Sequence, residues 1–309
     1  MANFQFTLSS GRRLGVTALG NPLARHVVVF CHSAPGSSVF DPDPVATAGR
    51  DVHVVAFDRP GYGSSDPLPP GRWPTVTGAA DDISEYLHSA EGAAHALGVS
   101  QLDSLGVVGW SAGGRVALAL AAKHPQLFQR VALIATPAPN EEVPWIPQQQ
   151  AAASVQLSTL SAQDAIERLT AMFTAQAGER MPSADLDTPV LLDQLGASVA
   201  DADALAGPGA QDRVEKMMRD AFRQGPIGVV TDILSYTARP WGFDLSAVRA
   251  DTLLVYGAAD PLITEAHARW YRDHLEHASI VLQPEAGHLV VIPTWDRVLA
   301  HLAPGSKVA

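Results

Sequence analysis

Gly109-Trp110-Ser111-Ala112-Gly113-Gly114 sets a serine between glycines in the pattern G-x-S-x-G. The apolar run 105–110 reads as a buried strand, and the Ala- and Leu-rich run 112–123 reads as a helix. A serine on the tight turn between strand and helix stands exposed and can attack a carbonyl. Side chains at 109 and 113 would collide with the neighbouring strand and helix, which accounts for the glycines. The N–H of Ala112 opens the helix and points to where negative charge would develop on the attacked oxygen. The chemistry implied is acyl transfer, in which a serine needs a base and the base needs an orienting acid.

Two later residues fit those roles in the order serine, acid, base. Asp260 follows an apolar strand at 252–256, and His288 follows a strand at 279–282 in Glu285-Ala286-Gly287-His288. All three then lie at carboxyl ends of strands and can converge on one sheet edge. Asp260-Pro261 also reads as a plain turn, and Asp244 and Asp251 are nearby acids, but both precede their strand and lie at the wrong edge. Of the other histidines, His53 falls in a strand, His274 and His277 near a helix end, and His301 near the C-terminus. No set of them has metal-ligand spacing. A second oxyanion donor is expected in the loop Cys31-His32-Ser33-Ala34-Pro35-Gly36-Ser37 after the strand 27–30. Ala34 is the first choice and Ser33 the next, since Pro35 has no N–H to donate. Cys31 reads as a small packed residue and His32 as a brace for the loop. Trp110, beside the serine, and the Ser33 hydroxyl are candidates for the substrate pocket.

The elements that must carry these residues alternate strand and helix. Segments 4–8 and 12–19 read as an antiparallel hairpin around Ser10-Gly11. Strands follow at 27–30, 52–57, 105–110 and 131–135, with a helix at 80–97 stopped by Gly98. Such alternation predicts an α/β fold, a mostly parallel sheet flanked by helices. Between Thr136 and Pro240 the pattern turns helical, with candidates at 165–173, 189–195 and 211–224. Alternation resumes with the strand at 252–256, a helix at 265–275, the strand at 279–282 and a helix at 295–302. The expected organisation is one core, 1–137 and 241–309, interrupted by a helical insertion at 138–240.

Together these residues resemble the α/β-hydrolase superfamily. The resemblance rests on an HGxPG-like loop (His32-Ser33-Ala34-Pro35-Gly36), on Asp58-Arg59-Pro60-Gly61-Tyr62-Gly63-Ser64-Ser65-Asp66 after the next strand, on the Ser111 turn, and on the Asp260/His288 pair. It covers the core and implies an α/β-hydrolase core with an inserted cap that roofs the pocket. Ser33 departs from the usual glycine of the first loop. The serine nucleophile separates the chain from relatives that attack with a carboxylate. The resemblance implies hydrolysis of a small, apolar carboxylic ester or lactone through an acyl-enzyme, with no cofactor. It leaves three other readings open: C–C bond cleavage or non-hydrolytic chemistry on the same triad, an aminopeptidase-like hydrolase, and a small-molecule binding module. Glu141 and Glu142, where cap carboxylates hold a substrate amine in aminopeptidase-like relatives, read as solvated charges. Met217, Met218 and Phe222 read as cap core.

Composition narrows the partners. With 21 basic and 32 acidic residues the net charge is −11, and no basic run exceeds Arg12-Arg13. Nucleic acid and anionic membrane surfaces are therefore disfavoured as partners, and a small-molecule substrate is favoured. No segment reads as a signal peptide or membrane span, and the one cysteine cannot form an intrachain disulfide, so a cytoplasmic location is expected. Nothing in the sequence sets an oligomeric state. The insertion carries −7 of the −11, a surface that disfavours polyanionic substrates such as coenzyme A thioesters.

Overall fold

The computed structural model describes residues 2–90, 92, 104–177 and 187–306. Eight strands form a single sheet in the order β1-β2-β4-β3-β5-β6-β7-β8. β1 (Ala2–Thr7) and β2 (Arg13–Gly20) are the expected hairpin, and β2 also runs antiparallel to β4 (Val52–Phe57). From β4 onward the pairings are parallel, through β3 (His26–Cys31), β5 (Ser104–Trp110), β6 (Arg130–Ile134), β7 (Asp251–Gly257) and β8 (Ala278–Gln283). Every residue of β4, and all but the first of β3 and β7, is buried. This is why these strands read as unbroken Val- and Leu-rich runs rather than as alternation.

Helices cover both faces. Val76–His88 and Gly113–Lys123 pack together on one, Pro44–Gly49 and Val291–Leu302 on the other, and Glu265–His274 lies against β7 and β8. The last helix begins at Val291, four residues before the sequence expectation, because Pro293 fits in a first helical turn where no N–H is needed. The expected run to Leu97 and the stop at Gly98 lie outside the described residues.

Between β6 and β7 the chain forms helices Gln148–Leu157, Ala162–Ala177, Thr188–Gln194, Ala202–Ala206, Ala210–Ala221 and Ile227–Thr237. Three of these have no counterpart in the sequence reading: the short Ala202–Ala206, and two longer ones for opposite reasons. Gln148–Leu157 has only Ser154 and Leu157 buried and so lacks an apolar stripe. Ile227–Thr237 buries Thr231, Asp232 and Ser235 beside Val230 and Leu234, so its polar residues do not mark a solvent face. Leu191, Leu195, Val214, Met217, Met218 and Phe222 join the same apolar cluster as the sheet, whereas Leu157, Ala165, Val230, Leu234 and Ala238 form a smaller one. The insertion is thus packed onto the core.

Candidate active site

The turn after β5 is built as the glycine pattern requires. A Cβ on Gly113 would lie 2.1 Å from the Cys31 carbonyl oxygen, and one on Gly109 2.4 Å from that of Gly113. Ser111 is held at φ +53, a left-handed conformation that a non-glycine residue adopts only when its surroundings impose it. Its N–H donates to Ile134 O at 2.8 Å and its carbonyl accepts from Gly114 N at 3.1 Å, so both neighbouring elements fix the turn.

The side chains of Ser111, His288 and Asp260 meet at the carboxyl edge of the sheet. Ser111 Oγ lies 3.1 Å from His288 Nε2, and His288 Nδ1 lies 2.8 Å from Asp260 Oδ2. The acid accepts the proton on Nδ1, which leaves Nε2 free to accept the serine hydroxyl proton. Asp260 Oδ1 accepts from Leu262 N and Ile263 N, each at 2.9 Å. Burial alone would raise the Asp260 pKa, but the bond and charge of His288 and the two N–H donors outweigh it and hold the carboxyl below its ordinary range. The loop carrying His288 is pinned twice. Trp110 Nε1 donates to His288 O at 3.1 Å, and Leu289 N donates to the buried carboxylate of Asp201 at 2.8 Å.

Ala34 and Ala112 line the cavity at Ser111, and no hydrogen bond among the described residues uses either N–H. The Ser33–Ala34 peptide is held from behind: Ser33 O accepts from Arg59 Nη2 at 2.8 Å and lies 2.7 Å from His32 Nδ1. Arg59 Nη1 donates to His32 O at 2.6 Å, and its Nε donates to Asp232 of the insertion at 2.9 Å. Burial, then the Arg59 charge, push the His32 pKa down, so the ring is neutral; its Nδ1–H donates to Ser33 O and its Nε2 accepts from Arg59 N. His32 thus braces the loop. Cys31 is buried, and that burial pushes its thiol up to about 12.

Two pocket candidates lie outside the cavity lining. Trp110 is fully buried, packed on Phe40 and His288, because as the last residue of β5 it points into the core while the turn swings Ser111 outward. Ser33 is also fully buried, with its hydroxyl donating to Pro35 O at 2.6 Å. Neither lines the cavity, of about 400 Å³. Its walls instead come from the insertion (Trp145, residues 193–198, Tyr236), from Pro261, Leu262 and Ile263, and from Arg115. Glu141 and Glu142 are exposed. Arg59 lies in the Asp58–Asp66 motif without a role of its own in the sequence reading, and Arg115, Asp201 and Asp232 have none there; a charged residue in an otherwise apolar segment, as at 115 and 232, is the one signal that marks them. Among the described residues no group of three His, Cys, Asp or Glu could hold a metal ion, and no helix is long and apolar enough to cross a membrane.

Comparison with known proteins decides the family. Residues 26–293 match the family model described as alpha/beta hydrolase fold. The chain belongs to the α/β-hydrolase family. It is 29% identical over 242 residues to a pimeloyl-[acyl-carrier protein] methyl ester esterase of Chromobacterium violaceum, covering 77% of this chain and 76% of that one. A protein of the same description from Aromatoleum aromaticum is 28% identical over 251 residues, 79% of this chain and 83% of that one. Among solved structures, a thermophilic esterase from Thermogutta terrifontis superposes with a TM-score of 0.64 at 20% identity, over 96% of this hydrolase and 95% of that chain. A hydrolase from Pseudomonas aeruginosa gives 0.65 at 20% identity, covering 98% of each chain. At these identities the structural matches speak to the fold.

Proposed function

We propose that this α/β hydrolase is a serine esterase that cleaves a small carboxylic ester or lactone through an acyl-enzyme. The observation that carries the reading is the unbroken relay from Ser111 Oγ through His288 to Asp260, facing a cavity that two unused N–H groups also line. Ser111 attacks the ester carbonyl while His288 Nε2 takes its proton. Asp260 holds the imidazole in the required tautomer and stabilises its positive charge. The N–H groups of Ala112 and Ala34 receive the oxyanion of the tetrahedral intermediate. His288 then protonates the leaving alcohol, activates a water, and the water releases the acid. The helical insertion roofs the cavity and selects the substrate. The two curated relatives, described as methyl ester esterases, agree with ester cleavage as the reaction class.

The test is a panel of aryl esters, lactones, thioesters and aminoacyl amides run on wild type, Ser111→Ala and Asp260→Asn. The Ser111 variant should lose kcat by on the order of 10⁶, and the Asp260 variant by about 10⁴. Esters or lactones should lead the panel. An Ser111→Ala protein that turns over its best substrate at the wild-type rate would remove the assignment.

A further inference from the structure

Arg115 follows Ser111 by four residues, one turn along the helix Gly113–Lys123, so the segment that presents the serine also carries a guanidinium. Arg115 is 2% exposed. Its Nη2 donates to Pro137 O at 3.2 Å, while Nε and Nη1 have no acceptor among the described residues. No carboxylate pairs with it, in contrast to Arg59, equally buried, which Asp232 neutralises. Its neighbours are aromatic: the guanidinium carbon lies 4.3 Å from the ring centre of Tyr236, 5.2 Å from Trp241 and 5.7 Å from Trp145. Ring faces stabilise the charge but take up none of the in-plane N–H donors. Arg115 also sits where two cavities adjoin, the one at Ser111 and a neighbour of about 630 Å³, which share Trp145 and Tyr236 as well.

A buried cation with idle donors, at the wall of a reaction cavity and with no carboxylate bonded to it, is the complement of a carboxylate. We infer that Arg115 is a specificity-determining residue that binds a free carboxylate of the substrate, so that the ester taken is one carrying a carboxylate in the same molecule. The inference rests on the reading of Ser111 as the nucleophile beside it. Of the carboxylates around the two cavities, Asp193 and Glu141 are exposed, Asp260 is engaged by His288 and Asp232 by Arg59, and none is bonded to Arg115. The acidic surface of the insertion does not oppose this. Exposed charges are screened beyond roughly 8–10 Å in physiological salt, whereas a carboxylate inside the cavity meets Arg115 unscreened. What the surface disfavours is a large polyanion, not a single carboxylate that enters.

Binding tests this without turnover. Ser111→Ala is titrated with two acid/amide pairs: monomethyl glutarate against methyl glutaramate, with the charge on the acyl side, and O-butyryl glycolate against O-butyryl glycolamide, with the charge on the alcohol side. At least one acid should bind about 100-fold more tightly than its amide, and the pair that discriminates assigns the side. In Ser111→Ala/Arg115→Met that ratio should fall to near one, and Arg115→Lys should keep part of it. Should the methionine variant fail to fold, the ratio in Ser111→Ala and in Ser111→Ala/Arg115→Lys decides. Acids and amides binding within twofold in both pairs, a ratio that survives Arg115→Met, or no acid binding below about 10 mM would each overturn the role of Arg115. Wild-type turnover of the same esters is read separately: if it persists in Ser111→Ala, the nucleophile is misassigned, whatever the binding ratios show.

Discussion

Ser33 C=O and Ala34 N–H belong to one planar peptide and point in opposite directions. In the proposed mechanism Arg59, by holding Ser33 O at 2.8 Å and His32 O at 2.6 Å, keeps the Ala34 N–H aimed at the oxyanion. Arg59 is itself held by Asp232, with Nη2 at 2.5 Å and Nε at 2.9 Å from the carboxylate. Burial opposes the Arg59 charge, but the Asp232 charge prevails and raises its pKa. Arg59→Met removes both carbonyl contacts and strands a buried carboxylate, which should cost about 3–5 kcal/mol of stability. Loss of one aimed oxyanion donor should lower kcat by about 10²-fold while KM changes little. Arg59→Met/Asp232→Leu separates the two effects. Replacing the whole pair by apolar groups should return most of the stability, yet kcat should stay low because the peptide keeps only the His32 bond and has lost both Arg59 contacts. Urea denaturation and p-nitrophenyl butyrate kinetics on the wild type and both variants measure this. A kcat of Arg59→Met within twofold of wild type, or full recovery in the double variant, would refute the positioning argument.

Further outcomes follow from the same geometry. Asp201→Ala strands the N–H groups of Leu289 and Ser198, which now donate to its carboxylate at 2.8 and 2.9 Å; stability should fall by about 2–4 kcal/mol and kcat by roughly tenfold as the His288 loop loosens. Trp110→Phe removes the 3.1 Å bond to His288 O and should cost about 1 kcal/mol in a thermal melt. Burial pushes the Asp41 carboxyl up to about 6, against the opposing bond from Thr47 Oγ1. Because the folded pKa lies above the unfolded one, the stability this group adds is full below about pH 4 and lost as pH rises through about 6. Asp41→Asn should therefore gain on wild type between pH 4 and 7, by up to about 3 kcal/mol, and the difference should be flat above that; an unchanging difference across denaturation curves at pH 4.5, 6 and 7.5 would count against it.

The alternation of Val-rich runs and amphipathic helices was enough to read the sheet and its hairpin, because each strand carries its own burial pattern. The positions of Ser111, Asp260 and His288 at strand ends were legible for the same reason: strand polarity in a parallel sheet puts all carboxyl ends on one edge. The supporting residues were not. Arg59 and Asp232 are 173 positions apart, and nothing local to either marks the other as its partner. Arg115 is a lone charge in an apolar helix, and nothing local to it announces the rings of Trp145, Tyr236 and Trp241 that the chain between β6 and β7 brings over it. Adjacency in sequence to Ser111 does not bring Trp110 to the cavity wall: its ring is fully buried against Phe40 and His288.

The central claim, that Ser111 is the nucleophile of an ester hydrolase, is tested most directly by trapping its covalent intermediate. Wild type mixed with a slowly deacylating p-nitrophenyl ester, quenched in acid during the first turnover and mapped by mass spectrometry, should carry the acyl mass on the peptide containing residue 111, at Ser111. An acyl adduct at any other residue would contradict the account.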